Sequence, residues 1–311
     1  MITEKFTVPS AFGGVELSCA AALPSGGAAS AKAIVQIVHG MCEHKERYEN
    51  FMRFLAENGY IAAAQDLRGH GESVKSDEEL GYFGDKRGEA VVDDVFQVTK
   101  TLKECYPNLP VVLLGHSMGS MVVRCYIQEH DGELAGLIVS GSPSRNVLAG
   151  AGLALDKAIA LFKGEKHRSE TIAALSTGNG DEEFPNEGKN AWLSRDKSAV
   201  AAYNADKKCG FTFTCNGFEN LFRLMKNTYN KKRYRVQNPE MPVFFASGSD
   251  DPVAINEDKW LSAQNTLRAA GYKNVSGRFY HGMRHEVLNE IGKEEVYADM
   301  LAFIDQCAKN A

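Results

Sequence analysis

Short apolar runs alternate with amphipathic helical segments along most of the 311-residue chain, and this alternation limits the possible folds. The run PVVLLG at residues 110–115 is continuously apolar, as expected of a strand buried on both faces of a sheet. Residues 88–105 instead repeat apolar side chains every three or four positions, which predicts an amphipathic helix. The alternation predicts an α/β fold with a mostly parallel sheet covered by helices on both faces.

Further segments continue the same pattern. Gly59 ends one helical segment, and Pro107 and Pro110 interrupt the chain after another. The predicted strands are residues 15–22, 33–38, 60–64, 134–142, 242–249 and 274–282, and the other predicted helices are residues 46–58, 118–129 and 293–307.

Residues 144–237 break this alternation. They contain no clear strand run, are richer in Lys, Asn and Glu, and include a loop-like stretch at 176–190. We interpret them as a mostly helical insertion, a cap or lid. The catalytic domain would then consist of residues 1–143 and 238–311.

The overall charge and the cysteines restrict the partners and the compartment. The net charge is −5 and the isoelectric point is about 6.0, whereas phosphate binding needs clustered positive charge, so we expect no nucleic-acid partner. The seven cysteines show neither a CxxC pair nor zinc-ligand spacing, which favours free thiols in a reducing compartment. No segment has the apolar core of a signal peptide or the roughly 18 apolar residues of a membrane span. We therefore expect a cytoplasmic protein.

The strongest chemical signal is the pentapeptide GHSMG at residues 115–119, which matches the G-x-S-x-G pattern. It lies between a predicted buried strand and a predicted helix, where a tight turn projects the serine from the carboxyl edge of the sheet. The helix N-terminus at this point favours negative charge. Ser117 is therefore the predicted nucleophile.

A serine hydroxyl needs a base and an orienting acid to become a nucleophile at neutral pH. In this arrangement the acid and then the histidine follow the serine along the chain. Asp250 and Asp251 follow one late strand, and His281 and His285 follow the last. We select Asp251 and His285, since a turn-capping role suits Asp250 and a strand-end position suits His281.

The oxyanion hole needs two backbone N–H donors. Met118, the residue after the nucleophile, is one predicted donor, and Met41 in the loop after an early strand is the other. The neighbouring Cys42 fits either a reactive thiol or a small packed residue. In the insertion, one helical face carries four apolar residues that fit either core packing or an acyl-chain pocket: Phe218, Leu221, Phe222 and Met225.

Several motifs together resemble the monoacylglycerol lipases and bacterial lysophospholipases, the serine-aminopeptidase-like branch of the α/β-hydrolases. The segment HGMCEHKERY resembles their HGxxEHxxRY motif, and DLRGHGES resembles their D-x-x-G-H-G-x-S loop. The elbow and the acid and histidine segments match as well. The matching segments are residues 39–48, 66–73, 115–119, 248–253 and 280–285. Ser120 departs from the glycine that is frequent at that place in the family, and residues 144–237 match no motif.

The resemblance implies an α/β-hydrolase fold with a mostly parallel eight-stranded sheet and a helical cap. It assigns the triad to Ser117, Asp251 and His285, and the oxyanion donors to Met41 and Met118. It also implies an enzyme without a metal or an organic cofactor. Acylglycerols, lysophospholipids and other monoesters are the substrates that it implies, and transient contact of the cap with a membrane surface would suit them.

Other activities remain open at this point. An aminopeptidase or amidase on the same scaffold would need acidic cap residues, such as Glu182, Glu183 or Glu187, to bind a substrate ammonium. A non-catalytic ligand-binding protein would usually lack a member of the triad, whereas this sequence has a candidate for each. The serine in the elbow disfavours an epoxide hydrolase or dehalogenase, which would carry an aspartate there. The sequence leaves the oligomeric state open.

Overall fold

An eight-stranded sheet lies at the centre of the fold, which the computed structural model describes for residues 2–85, 87–177 and 180–311. The strands lie side by side in the order 1-2-4-3-5-6-7-8. β1 pairs with β2 and β2 with β4 in antiparallel fashion, and the other five neighbouring pairs are parallel. The prediction of a mostly parallel sheet is therefore confirmed. The strands are β1 (Ile2–Pro9), β2 (Glu16–Leu23), β3 (Ile34–Val38), β4 (Ile61–Gln65), β5 (Val111–His116), β6 (Gly136–Ser140), β7 (Val243–Gly248) and β8 (Val275–Tyr280).

Helices cover both faces of the sheet. In β3, Ile34 and Val38 belong to one buried cluster, whereas Val35 and Ile37 belong to the other, because successive side chains of a strand point to opposite faces. The helices are α1 (Glu49–Glu57), α2 (Ala90–Cys105), α3 (Met118–His130), α4 (Ala149–Lys163), α5 (Glu170–Thr177), α6 (Lys197–Ala205), α7 (Cys215–Thr228), α8 (Glu257–Ala270) and α9 (Lys293–Asn310). Apolar residues of α1 and α9 pack in one cluster, and those of α2, α3 and α8 pack in the other.

The predicted elements are present, with ends that differ by no more than three residues. The helix predicted at 46–58 begins with a short 3₁₀ turn, Lys45–Tyr48, and continues as α1. The sequence pattern did not indicate β1 or α8. β1 is an edge strand that pairs on one side only, and the buried side of α8 carries only two large apolar side chains, Trp260 and Leu267. Neither segment therefore has enough buried apolar side chains for the sequence pattern to predict a strand or a helix there.

The segment between β6 and β7 forms four α-helices, α4 to α7, and no strand within the residues that the structure describes there. Helix α7 packs against α4 in this segment and against α3 of the sheet layer. It therefore connects the helical segment to the rest of the fold. None of the described helices combines the length and the apolar character needed to cross a membrane.

The parallel strands determine where the predicted site residues meet. β3, β5, β6, β7 and β8 run in the same direction, so the loops that follow their carboxyl ends share one edge of the sheet. Met41 follows β3, Ser117 follows β5, Asp251 follows β7 and His285 follows β8. Four distant parts of the chain are thus brought to a single place.

Candidate active site

Ser117 occupies the sharp turn between β5 and α3, with φ 53° and ψ −117°. A positive φ is strained for a residue with a side chain, and such strain is typical of a nucleophile elbow. A side-chain carbon at Gly119 would lie 2.3 Å from the carbonyl oxygen of Val38, and one at Gly115 would lie 2.4 Å from that of Gly119. The two glycines of the motif therefore allow β3, β5 and α3 to approach closely enough to form the turn.

Asp251 and His285 form a buried hydrogen-bonded pair. The Nδ1 atom of His285 lies 3.0 Å from Oδ1 and 2.9 Å from Oδ2 of Asp251, and the N–H of Val253 donates to Oδ1 at 2.9 Å. Because Nδ1 faces the carboxylate, Nε2 remains to accept a proton. His285 and Ser117 line the same cavity, and the ring centre of His285 lies 4.7 Å from that of His116, the residue before Ser117.

The alternative acid and base lie elsewhere. Asp250 is exposed and accepts a hydrogen bond from the Ser249 hydroxyl at 2.7 Å, and His281 is exposed at the end of β8. Of the two histidines, His285 is among the described residues that line the cavity and His281 is not. The geometry thus favours the selection of Asp251 and His285 over their neighbours.

The pKa values of the two histidines near Ser117, His285 and His116, are shifted in opposite directions. Burial lowers the pKa of His285, but the charge and the hydrogen bond of Asp251 outweigh it and raise the pKa above its ordinary 6.5. His116, whose ring centre lies 4.7 Å from that of His285, has its pKa lowered to about 4 by burial and by the neighbouring imidazole. Near neutral pH, His116 is therefore uncharged and His285 is the stronger base.

A cavity of about 640 Å³ opens beside Ser117 and His285. Met41 and Met118 line it, as do Phe218, Leu221 and Met225 of α7. Phe222, the fourth residue of the predicted apolar stripe, is not among the described lining residues. Its ring packs next to Gly152 of α4, where an added side-chain carbon would lie 2.7 Å from it. For Phe222, core packing is therefore the interpretation that this contact favours, because its part of α7 faces another helix.

Residues 29–292 match the Hydrolase_4 family, whose description is serine aminopeptidase, S33. The chain belongs to this family. The match includes all the loops that carry Met41, Ser117, Asp251 and His285, so the predicted family is confirmed.

Individual relatives of this S33 hydrolase are lipases and esterases. Human monoglyceride lipase is 26% identical over 265 residues, which cover 84% of this chain and 77% of the human one. A phospholipase of Bacillus subtilis is 24% identical over 275 residues, which cover 88% of this chain and 95% of that protein. The crystal structure of a thermostable carboxyl esterase from Bacillus coagulans superimposes with a TM-score of 0.86, at 27% identity and 99% coverage of both chains. The α/β-hydrolase fold is therefore confirmed.

The proposed oxyanion donors of the hydrolase lie on either side of the nucleophile. Met118 is the first residue of α3, where a backbone N–H has no partner within the helix. Met41 belongs to the loop after β3, and the N–H of its neighbour Gly40 donates to Glu43 Oε1 at 2.5 Å. The carboxylate of Glu43 therefore holds the oxyanion loop, a role that the sequence reasoning did not assign.

A largely buried arginine links this oxyanion loop to the histidine loop of the hydrolase. Arg47 Nη1 lies 2.6 Å from Glu43 Oε2, and both terminal nitrogens of Arg47 lie 2.6 Å from the carboxylate oxygens of Glu286, the residue after His285. Burial opposes ionisation of Glu43, but the charge of Arg47, the two neighbouring histidines and the N–H of Gly40 together outweigh it and hold the pKa of Glu43 below its usual range. The i, i+4 spacing of Glu43 and Arg47 was visible in the sequence. The contact of Arg47 with Glu286 was not, because it joins residues far apart in the chain.

Replacing Arg47 by methionine is expected to lower the free energy of unfolding by about 3–5 kcal/mol, because it leaves two buried carboxylates without their cation. Urea denaturation followed by circular dichroism measures this change. The matched control is Arg278→Met, which also removes a doubly paired arginine, but one that is 45% exposed. An exposed pair contributes at most about 1 kcal/mol. Equal losses in the two variants would contradict the structural role of Arg47.

Cys42 is a packed residue of the oxyanion loop. Its Sγ donates a hydrogen bond to the carbonyl oxygen of Phe211 at 2.8 Å, and its side chain is buried. Burial raises the pKa of the thiol well above its ordinary value, which disfavours the thiolate that a reactive cysteine needs. Of the two interpretations made from the sequence, packing is the one that these contacts support.

Proposed function

We propose that this hydrolase cleaves carboxylic monoesters, such as monoacylglycerols and lysophospholipids, through an acyl-enzyme on Ser117. The observation that carries the proposal is the buried Asp251–His285 pair, whose histidine lines one largely apolar cavity together with the strained Ser117. The ester and lipid substrates named for the relatives support the same substrate class.

The proposed reaction proceeds in two acyl-transfer steps. His285 Nε2 accepts the proton of Ser117 while Oγ attacks the ester carbonyl, and the N–H groups of Met41 and Met118 stabilise the oxyanion. His285 then protonates the leaving alcohol. In the second step His285 activates a water molecule, which hydrolyses the acyl-enzyme. Asp251 orients the imidazole and stabilises its cation without accepting the proton.

The cavity suits an acyl chain. Its volume of about 640 Å³ lies within the range of about 300–1,000 Å³ that is usual for small-molecule sites. Phe218, Leu221 and Met225 line it, and all three belong to α7. We therefore infer that residues 144–237 act as a cap and that α7 forms the acyl-chain wall of the pocket.

The alternative aminopeptidase activity has weaker support. It would need Glu182, Glu183 or Glu187 at the cavity, and none of the three is among the described residues that line it. Glu187 pairs instead with Arg284 at 2.9 Å. Asp181 does line the cavity; its Oδ2 accepts the N–H of Asn190 at 2.9 Å, whereas its buried Oδ1 has no hydrogen-bond partner among the described residues. The absence of the three predicted glutamates from the described lining favours an ester, and Asp181 is the acidic residue that the alternative would have to use.

A substrate panel tests the proposal. Purified protein is assayed with p-nitrophenyl esters, monoacylglycerols and lysophosphatidylcholine, and with aminoacyl p-nitroanilides as the competing class. We expect hydrolysis of the esters, labelling by a fluorophosphonate and little turnover of the nitroanilides. Faster turnover of the nitroanilides than of every ester would support the aminopeptidase instead, and a folded protein that resists the fluorophosphonate would support a non-catalytic binder.

We also propose that the cap touches a membrane surface transiently. Leu161 and Phe162 at the end of α4 are 81% and 87% exposed, and Val147 and Leu148 before its start are 81% and 68% exposed. Val147 and Leu148 also line the cavity, so the apolar surface reaches its entrance. Sedimentation with phosphatidylcholine vesicles tests this contact, and equal binding of a Leu161→Ser, Phe162→Ser variant would contradict it.

The free cysteines of the described chain agree with a cytoplasmic location.

A further inference from the structure

His44, Asp206 and Cys209 meet outside the catalytic site. His44 follows the oxyanion loop, and the other two residues belong to the segment between α6 and α7. The Nε2 atom of His44 lies 2.8 Å from Asp206 Oδ2, and one donor atom from each of the three residues lies within 4.8 Å of the others. We name this group the His44 cluster.

The three donors form a set that suits zinc. Zn²⁺ binds imidazole nitrogen, carboxylate oxygen and thiolate sulfur in tetrahedral geometry, with bonds of about 2.0–2.3 Å. Neighbouring ligand atoms of such a tetrahedron are about 3.3–3.7 Å apart. The 2.8 Å contact between His44 Nε2 and Asp206 Oδ2 is shorter than this range, so a zinc ion between them would require the two side chains to move slightly apart.

Glu46 holds the imidazole in the orientation that a metal ligand needs. Its Oε2 lies 2.7 Å from His44 Nδ1, on the opposite side of the ring from Asp206. Histidines that bind metals usually donate their second ring N–H to a carboxylate, which fixes the tautomer and the ring position. The contact with Glu46 is an observation independent of the three donors, and it makes Nε2, which faces Asp206, the ring nitrogen that would bind the metal.

A second acidic group lies nearby, but unlike the His44 cluster it already contains a lysine. Glu46, Asp66 and Glu72 also lie close together, but the Nζ atom of Lys45 is 2.8 Å from Glu46, 2.8 Å from Asp66 and 3.0 Å from Glu72. That group already has its cation. In the His44 cluster, by contrast, the partner of Asp206 is His44 itself, so a zinc ion would take the place of a proton between Nε2 and Oδ2.

We propose that His44, Asp206 and Cys209 bind a zinc ion, with water at the fourth position. Binding would replace the thiol proton of Cys209 and any proton on His44 Nε2. The ion would join the cap to the oxyanion loop at a place where they are already in contact. There the N–H of Gly210 and the hydroxyl of Tyr203 donate to the carbonyl oxygen of Cys42 at 3.0 and 3.1 Å.

The joined segments form part of the cavity wall, since Cys42, Tyr203, Gly210 and Phe211 all line the cavity. A zinc ion would therefore stiffen one wall of the substrate pocket without contacting the reacting atoms. Its expected role is structural. This role is separate from the acyl-transfer chemistry of Ser117. Its test measures metal binding, so it does not depend on whether the protein hydrolyses esters.

Cobalt spectroscopy tests the proposal, because Co²⁺ substitutes for Zn²⁺ and a thiolate ligand gives a charge-transfer band in the near ultraviolet. The reduced full-length protein is titrated with Co²⁺ and then with Zn²⁺. We expect a thiolate-to-cobalt band that saturates at one equivalent and disappears when Zn²⁺ displaces the cobalt. Cys209→Ser should lose the band, and the matched control Cys105→Ser, which changes an exposed cysteine, should keep it.

Two further variants test the other groups. Asp206→Asn should weaken the binding of Co²⁺, and Glu46→Gln should weaken it by about 10–100-fold, the usual effect of losing a group that orients a ligand. Circular dichroism and thermal melting of each variant show whether it is folded. No band in the wild-type protein, or a band that survives in Cys209→Ser, would overturn the proposal. The cluster would then be an imidazolium held between two carboxylates.

Discussion

Replacing Ser117 by alanine is expected to reduce ester hydrolysis by roughly 10⁶-fold, the loss measured when a serine hydrolase is deprived of its nucleophile. The alanine has no oxygen to form the acyl-enzyme, so only binding and the oxyanion hole would remain to favour the reaction. The strained turn accommodates the smaller side chain, and we expect the melting temperature to change little. Initial rates with a p-nitrophenyl ester and labelling by a fluorophosphonate are the two measurements.

A serine far from the cavity provides the control for this experiment. Ser262 is exposed on α8, where alanine is a favourable helix residue, so Ser262→Ala should keep both the hydrolysis and the labelling. If Ser117→Ala retained undiminished turnover or was still labelled at full stoichiometry, Ser117 would not be the nucleophile.

Replacing Asp251 by asparagine is expected to reduce kcat by about 10⁴-fold, since the amide cannot hold His285 in the productive tautomer. The change also removes the negative charge that raises the pKa of His285. The base must be uncharged to act, so activity falls as the pH drops through this pKa. We therefore expect the acidic limb of the pH profile of kcat/KM to move to lower pH in the residual activity of the variant.

The adjacent aspartate makes a matched control. Asp250→Asn changes the same functional group one residue away, but Asp250 is exposed and contacts Ser249 rather than His285. We expect this variant to keep its kcat and its pH profile. A larger loss in Asp250→Asn than in Asp251→Asn would exchange the roles of the two carboxylates, and an acidic limb that moved to higher pH in Asp251→Asn would contradict the electrostatic role of Asp251.

Arg47, which is largely buried, offers an explanation for how the oxyanion loop and the histidine loop keep a constant separation. Arg47 contacts Glu43 on the oxyanion loop and Glu286 beside the histidine, and its guanidinium also lies 4.8 Å from the ring centre of Tyr203 in α6. One rigid cation thus contacts three segments around the cavity. This is consistent with a network that aligns the base and the oxyanion donors with the nucleophile.

The spacing of apolar residues was sufficient to predict the strands and helices in which that spacing is regular. The apolar run of β5 and the helical stripe of α2 are buried as their patterns predicted, because burial on the sheet demands apolar side chains at fixed intervals. The order of Ser117, Asp251 and His285 along the chain was informative for a similar reason. Each residue follows a parallel strand, and parallel strands end at the same edge.

The sequence pattern was not sufficient where one face of a helix can lie against two different neighbours, as α7 lies against the cavity and against α4. Phe218, Leu221 and Met225 line the cavity, whereas Phe222 on the same helix packs near Gly152. The spacing of these residues shows that they share an apolar stripe. It cannot show where the cavity ends and where α4 begins, because both environments favour the same apolar residues.

By itself, the sequence determined the fold class, the family, the elbow at Ser117 and the most suitable acid and base. These depend on short motifs and on periodic burial, which neighbouring residues encode. Only the tertiary structure decided that Arg47 joins Glu43 to Glu286, that Phe222 packs near Gly152, and that His44 meets Asp206 and Cys209. Such contacts join segments that are distant in the chain, and their partners depend on how the helices between β6 and β7 pack over the sheet edge.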